Sequence, residues 1–259
     1  MSSTRATSRL EERLRANGDL KLIPYVMAGY PDAAASIELG RAYARAGAAA
    51  VEVGIPFSDP LADGPAVQRA GEVALRNGMT VAGALEVAGR VADQGVPVVL
   101  MTYVNPVLAH DPRRLAAEAA EAGVAGVIIP DLPAEEAEPV TGWLRSAGLD
   151  TIFLVAPTSP DSRLMSIAER SSGFVYCVTL TGVTGARAEL DPGLDRLLER
   201  VRRSTPLPIA AGFGISRPEH LARLRGKVDA AIVASALLNR LHEGGDPVAL
   251  VEELLAGCR

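Results

Sequence analysis

The segment AAVEVGIPFSDPLADGP, residues 49 to 65, opens as a continuous apolar run and closes as a proline- and glycine-framed turn, with Glu52 inside the run and Asp59 and Asp63 beyond it. An apolar run of this kind suits a parallel strand buried on both faces. Seven further β-branched runs share its character: LIPYVM (22–27), PVVLMTY (97–103), AGVIIP (125–130), TIFLVA (151–156), GFVYCVT (173–179), LPIAAG (207–212) and DAAIVA (229–234). Between them lie stretches of helical period such as AASIELGRAYARAGA, DPRRLAAEAAEAG and EEAEPVTGWLRSAG, most of which end at glycine. Eight strand–helix units predict an α/β fold, a single (β/α)8 TIM barrel over residues 1–259, in preference to an open sheet. The interval between the second and third runs is nearly twice the others, so extra structure is expected after strand two. The early segment SSTRATSRLEERLRA reads equally as an extra N-terminal helix covering the barrel floor or as a frayed end.

Composition narrows the function classes. Apolar residues make up 48% of the 259 and aromatics only 4%, with a formal charge of -5. Arginines are spread along helical stretches and are not interleaved with aromatics, which argues against nucleic acid as a partner. A small anion remains compatible, because backbone N–H groups hold one without a basic patch. Cys177 and Cys258 are the only cysteines. No Cys/His spacing resembles a metal site, and a reducing cytoplasm is the simplest setting. No apolar run approaches membrane-spanning length.

In a barrel the chemistry gathers at the C-terminal ends of the strands. Strand alternation places Glu52 and Gly54 on the face opposite Val51, Val53 and Ile55. With the aliphatic residues packed on helices, Glu52 points into the barrel mouth, where burial raises a carboxyl pKa into the range useful for acid–base work. The competing reading is a core glutamate tied to an arginine or a backbone N–H. Asp63 follows in a loop where aspartate also serves as a turn cap, and that role alone accounts for Asp59. A second constellation consists of TGVTGAR (181–187), GFGIS (212–216) and ASALL (234–238), after strands six, seven and eight. Glycines there allow close approach of backbone, and a helix beginning at Ser235 aims free N–H groups at a phosphate. His110, His220 and His242 fall away from the strand ends and read as surface or capping residues. No serine-hydrolase elbow, Walker loop or early dinucleotide fingerprint is present.

At this point the residues resemble a known family. VEVGIPFSDPLADGPAVQRA closely resembles the acidic signature of tryptophan synthase alpha subunits. IPYVMAGYPD, LMTYVNPVL, GVIIPDLPAEE, FLVAPTSPDSRL, FVYCVTLTGVTGAR and GFGISRPEH are similar to family segments in family order, over almost the whole chain. The resemblance implies a barrel enzyme, a carbon–carbon lyase of tryptophan biosynthesis. It implies cleavage of indole-3-glycerol phosphate to indole and glyceraldehyde 3-phosphate with no cofactor of its own. It implies catalytic roles for Glu52, Asp63 and Tyr176. Pocket positions are implied for Tyr25, Tyr103 and Phe213, and phosphate contacts for Gly185, Gly214 and Ser235, with Ala234 standing where the family usually has glycine. The segment TGVTGARAELD (181–191) is glycine-rich and polar enough to act as a lid, which the resemblance supports, and Thr184 is expected to bond Asp63 when that lid shuts. Met27 and Tyr30 also depart from the commoner family forms. The implied partner is a pyridoxal-phosphate-dependent beta subunit in an alpha2beta2 heterotetramer, with Pro56, Asp59 and NPVLAH resembling the contact surface.

Two alternatives share these residues. One is a stand-alone lyase releasing free indole, and another a non-catalytic phosphate-binding barrel that activates a beta subunit. Intact Glu52, Asp63 and Tyr176 argue against the second. A different phosphosugar aldolase lacks its lysine, since Lys21 and Lys227, the only lysines, both precede strands.

Overall fold

The computed structural model describes residues 6–178 and 193–258. Among the described residues nine strands run parallel: β1 (Lys21–Met27), β2 (Val51–Gly54), β3 (Val98–Met101), β4 (Val124–Ile128), β5 (Asp150–Ile152), β6 (Leu154–Val155), β7 (Val175–Val178), β8 (Ile209–Gly212) and β9 (Ala230–Val233). Their order is β5-β4-β3-β2-β1-β9-β8-β7-β6. The two ends of this sheet are one stretch of chain. β5 pairs with β4 and β6 pairs with β7, with only Phe153 between them, so the fifth of the eight expected strands brings the two edges together and the sheet forms a nearly closed barrel.

Two apolar layers follow from strand alternation. Val51, Val53 and Ile55 of the second strand run face outward, in one buried cluster with Leu85, Ala88 and Val91 of helix Val81–Ala92. Full burial of each such aliphatic side chain contributes roughly 1.5–3 kcal/mol. The inward layer includes Ile23, Val99, Phe174 and Ile232, and it is joined by Leu10 and Leu14 of helix Arg9–Arg15. That helix starts at Ser8, whose hydroxyl accepts from the Glu11 N–H at 3.3 Å. Residues 9–15 therefore form a structured floor. Gly126 makes room for it, since a Cβ there would lie 3.1 Å from Leu10 Cδ1 and 2.7 Å from Ile152 Cδ1.

The long interval after β2 holds two helices, Pro65–Arg76 and Val81–Ala92. The helix expected over EEAEPVTGWLRSAG is shorter than its periodicity suggests. It is a 3-10 turn at Ala134–Glu136 followed by helix Val140–Ser146, with Pro139 between them. Proline has no N–H to give and disfavours helical backbone in the residue before it.

Candidate active site

Glu52 is 3% exposed and faces inward from β2, directly opposite Tyr25 of β1 and Val99 of β3. Its Oε2 is buried with no hydrogen-bond partner among the described residues. Among the described residues no arginine or backbone N–H claims it, which argues against the core-glutamate reading for this oxygen. Burial, with a smaller contribution from the charge of Asp63, pushes its pKa up to about 8. Glu52 is thus a neutral acid near pH 7 that loses its proton at modest cost.

Asp63 lies in the loop that leaves β2 and enters helix Pro65–Arg76. The turn is fixed by the Asp63 N–H donating to Pro60 O at 3.0 Å and by Gln68 Nε2 donating to Asp63 O at 2.9 Å. Its carboxylate is therefore free of the turn-capping role, while Asp59 is exposed. Tyr103, following β3, anchors the loop from behind. Its hydroxyl accepts from the Ala62 N–H at 3.2 Å and bonds the Asp63 side chain. Its ring packs on Phe57 with centroids 5.3 Å apart. Burial raises the Asp63 pKa to about 7, and the bond to Tyr103 works the other way.

Two tyrosines complete the acidic end by the same device. The Tyr25 hydroxyl occupies the space that a Cβ on Gly54 would need, and the Tyr176 hydroxyl lies 2.5 Å from where a Cβ on Gly212 would stand. Each glycine is the inward residue of the neighbouring strand, so these positions admit no side chain. Both phenols are held well above their ordinary pKa, first by burial and then by the neighbouring carboxylates.

The opposite end is built from backbone. Gly214, with φ +69°, Ile215 and Ser216 follow β8. Ala234, Ser235 and Ala236 lead into helix Ser235–His242, whose first turn has no side-chain cap. Its free N–H groups and positive dipole end face the same open cavity that Glu52 and Asp63 line. Arg69 donates to Asn239 Oδ1 at 2.9 Å, tying helix Pro65–Arg76 to this wall. Among the described residues, no cluster of His, Cys, Asp or Glu is arranged to hold a metal.

The structure therefore brings Glu52, Asp63, Tyr176, Tyr25, Gly214, Ala234 and Ser235 to one cavity. Thr184 and Gly185 lie outside the described residues. Phe213 differs from the pocket position that the resemblance implies. It points outward into the layer between barrel and helices, because it sits one residue out of phase with Gly212 and Gly214. Tyr103 supports the acidic loop and is not a wall of the cavity. The apolar walls come from Met101, Ile128, Leu154 and Ile232, which the sequence reading did not single out. Alternation from Glu52 would have found Met101, the residue level with Gly54 in the next strand. The histidines lie elsewhere: His110 Nε2 is 2.6 Å from Glu118, and His220 Nδ1 accepts from the Ser216 N–H at 3.3 Å.

Comparison with known proteins gives this geometry a lineage. A family model described as tryptophan synthase alpha chain matches residues 12–257. The chain belongs to the tryptophan synthase alpha chain family. A family member from Roseiflexus sp. (strain RS-1), named tryptophan synthase alpha chain, is 49% identical over 250 residues, covering 95% of this chain and 96% of the relative. One from Solibacter usitatus is 44% identical over 247 residues, covering 95% and 92%. Among solved structures, Mycobacterium tuberculosis tryptophan synthase superimposes with a TM-score of 0.93 at 40% identity, over 98% of this chain and 99% of that one. The fold, with its parallel barrel and helices, is the family's.

Proposed function

We propose that this chain cleaves indole-3-glycerol phosphate to indole and glyceraldehyde 3-phosphate by a retro-aldol step, with its own residues supplying the acid and base. The observation that carries the proposal is Glu52, a buried carboxyl still protonated near neutrality, in one cavity with Asp63 and an uncapped helix N-terminus. The phosphate sits against the N–H groups of Gly214, Ser235 and Ala236. The indole lies between Met101, Ile128, Leu154 and Ile232. Glu52 delivers its proton to indole C3, which makes the ring an iminium able to accept an electron pair. The resulting carboxylate then takes the proton of the hydroxyl next to C3. The C3–glycerol bond breaks, its electrons restore the indole double bond, and the aldehyde forms. Glu52 ends protonated, so the step needs no external acid or oxidant. Asp63 in its ionised form accepts from the indole N–H and stabilises the positive charge that develops there. Tyr176 keeps the mouth polar beside Glu52.

No cofactor enters this chain's reaction in the proposal; pyridoxal phosphate belongs to the partner. A beta subunit is the partner, and an alpha2beta2 heterotetramer in the cytoplasm is the proposed working form. Two exposed apolar side chains support the contact face. Leu61, 85% exposed, tops the acidic loop, and Leu108, 55% exposed, lies on helix Val104–Ala109 just after Tyr103. No helix among the described residues is long and apolar enough to cross a membrane.

Indole release by the purified chain, measured with and without an added beta subunit, tests this reading. Slow release that rises with the partner, with glyceraldehyde 3-phosphate formed one for one, is the expected result. Fast release unaffected by the partner would identify a stand-alone lyase, and no release under either condition would overturn the reading.

A further inference from the structure

The hydroxyl of Tyr25 has no part in the steps above, yet it is placed beside the group that performs them. Tyr25 and Glu52 are Cα partners on adjacent strands, and both side chains enter the cavity. The hydroxyl fills the space over Gly54, two residues from Glu52 along the same inward face. Its one partner among the described residues is the thioether of Met27, at 3.7 Å. A thioether is a weak acceptor, so the donor is held in place without being strongly engaged. Glu52 Oε2 presents the complementary deficit, a buried oxygen with no donor among the described residues. A neutral carboxyl tolerates that position. A carboxylate does not, because an unpartnered buried charge carries its full desolvation penalty.

The proposed reaction creates that carboxylate in every turnover, between protonation of C3 and uptake of the hydroxyl proton. We infer that Tyr25 is a positioning residue for Glu52, its hydroxyl leaving Met27 Sδ to donate to Glu52 while the carboxylate exists and returning when the proton does. This inference rests on the retro-aldol reading. Among the described residues, the other ionisable groups facing Glu52 are Asp63, from the loop after β2, and Tyr176, from β7. Tyr103 reaches the site through Asp63. Asp63 when ionised only accepts, and the Tyr176 hydroxyl lies over Gly212 of β8. Tyr25 remains a donor throughout the working pH range, since burial and the nearby carboxylates hold its phenol well above the ordinary value.

The test is a Tyr25→Phe variant of the full chain, assayed with the beta subunit across pH, beside Met27→Leu. Loss of the donor should lower kcat about tenfold at neutral pH, as expected for a hydrogen bond to a charged group. It should also move the alkaline limb, where Glu52 loses its proton before use, upward by about one pH unit. KM should change by less than about twofold, because the phosphate and indole contacts are elsewhere. Met27→Leu, a volume-conserving change, should leave the limb in place. An unmoved limb in Tyr25→Phe, or an equal shift in Met27→Leu, would overturn the inference, the latter because it would reduce Tyr25 to an anchor on the sulfur. Carboxyl-carbon NMR of the folded variant without substrate reads the same shift directly, so a turnover defect from misfolding does not blur the result. Wild-type protein that releases no indole would defeat the retro-aldol reading instead, and the two failures are thereby separate.

Discussion

Replacing Glu52 by glutamine should stabilise the protein at alkaline pH, in proportion to the burden that the catalytic carboxyl places on the fold. Burial raises its pKa from 4.5 to about 8, and each unit corresponds to about 1.4 kcal/mol. An acid whose folded-state pKa lies above its unfolded value is held more tightly by protons in the folded protein. Its contribution is therefore most favourable below pH 4.5 and is lost as pH rises toward 8. Between pH 5 and pH 8 the loss amounts to roughly 3 kcal/mol, which a neutral glutamine does not suffer. The hydrogen bonds that Glu52 makes as a neutral carboxyl are independent of pH, so their difference from those of glutamine cancels when the two conditions are compared, and any bond made only to the carboxylate is contained in its pKa. Urea unfolding of wild type and Glu52→Gln at both pH values gives the quantity directly. The stability difference should move by roughly 3 kcal/mol in favour of the variant on going from pH 5 to pH 8, about 6–12 °C in Tm for a chain of this size. A difference that stays constant would mean that Glu52 ionises as freely in the folded protein as in the unfolded one, and the acid–base argument would lose its basis.

Other outcomes follow from the same geometry. Asp63→Asn should lower kcat by about 10²–10³-fold, the cost of removing one electrostatic partner of the transition state. Binding of a non-reacting phosphate ligand should survive, and its disappearance by calorimetry would show that Asp63 holds the loop and does not act on the ring. Gly212→Ala forces a methyl to within 2.5 Å of the Tyr176 hydroxyl. It should cost about 1–3 kcal/mol of stability and displace that hydroxyl, with a fall in kcat in the steady-state assay. Leu14→Ala opens the barrel floor and should cost about 2–5 kcal/mol in urea unfolding, with kcat within about twofold of wild type because Leu14 itself does not line the cavity.

The barrel was legible because both of its layers are written in alternation. Val51, Val53 and Ile55 mark the outer layer, and Glu52 and Gly54 mark the inner one. The helix at Ser235 was equally readable, since a strand followed by a small polar residue and an amphipathic stretch predicts a helix N-terminus at the strand's end. Less of the site could be read, because its key contacts depend on register between distant segments. Tyr25 covers Gly54 and Tyr176 covers Gly212 only once adjacent strands are aligned. Tyr103 meets Ala62 and Asp63 from about forty residues away. The outward turn of Phe213 was available from alternation, but the family likeness spoke for the opposite side. The split of the fifth strand at Phe153 and the broken helix at Pro139 are local interruptions inside correctly placed elements.

The most direct test of the central claim is indole release from indole-3-glycerol phosphate at pH 7 by wild type and Glu52→Gln, each with the beta subunit and each shown to be folded. Wild type should turn over, and the variant, equally stable or more so, should release no measurable indole. Turnover by Glu52→Gln within about tenfold of wild type, less than the 10²–10⁴-fold ordinarily supplied by a positioned acid–base group, would contradict the assignment of the proton transfers to Glu52.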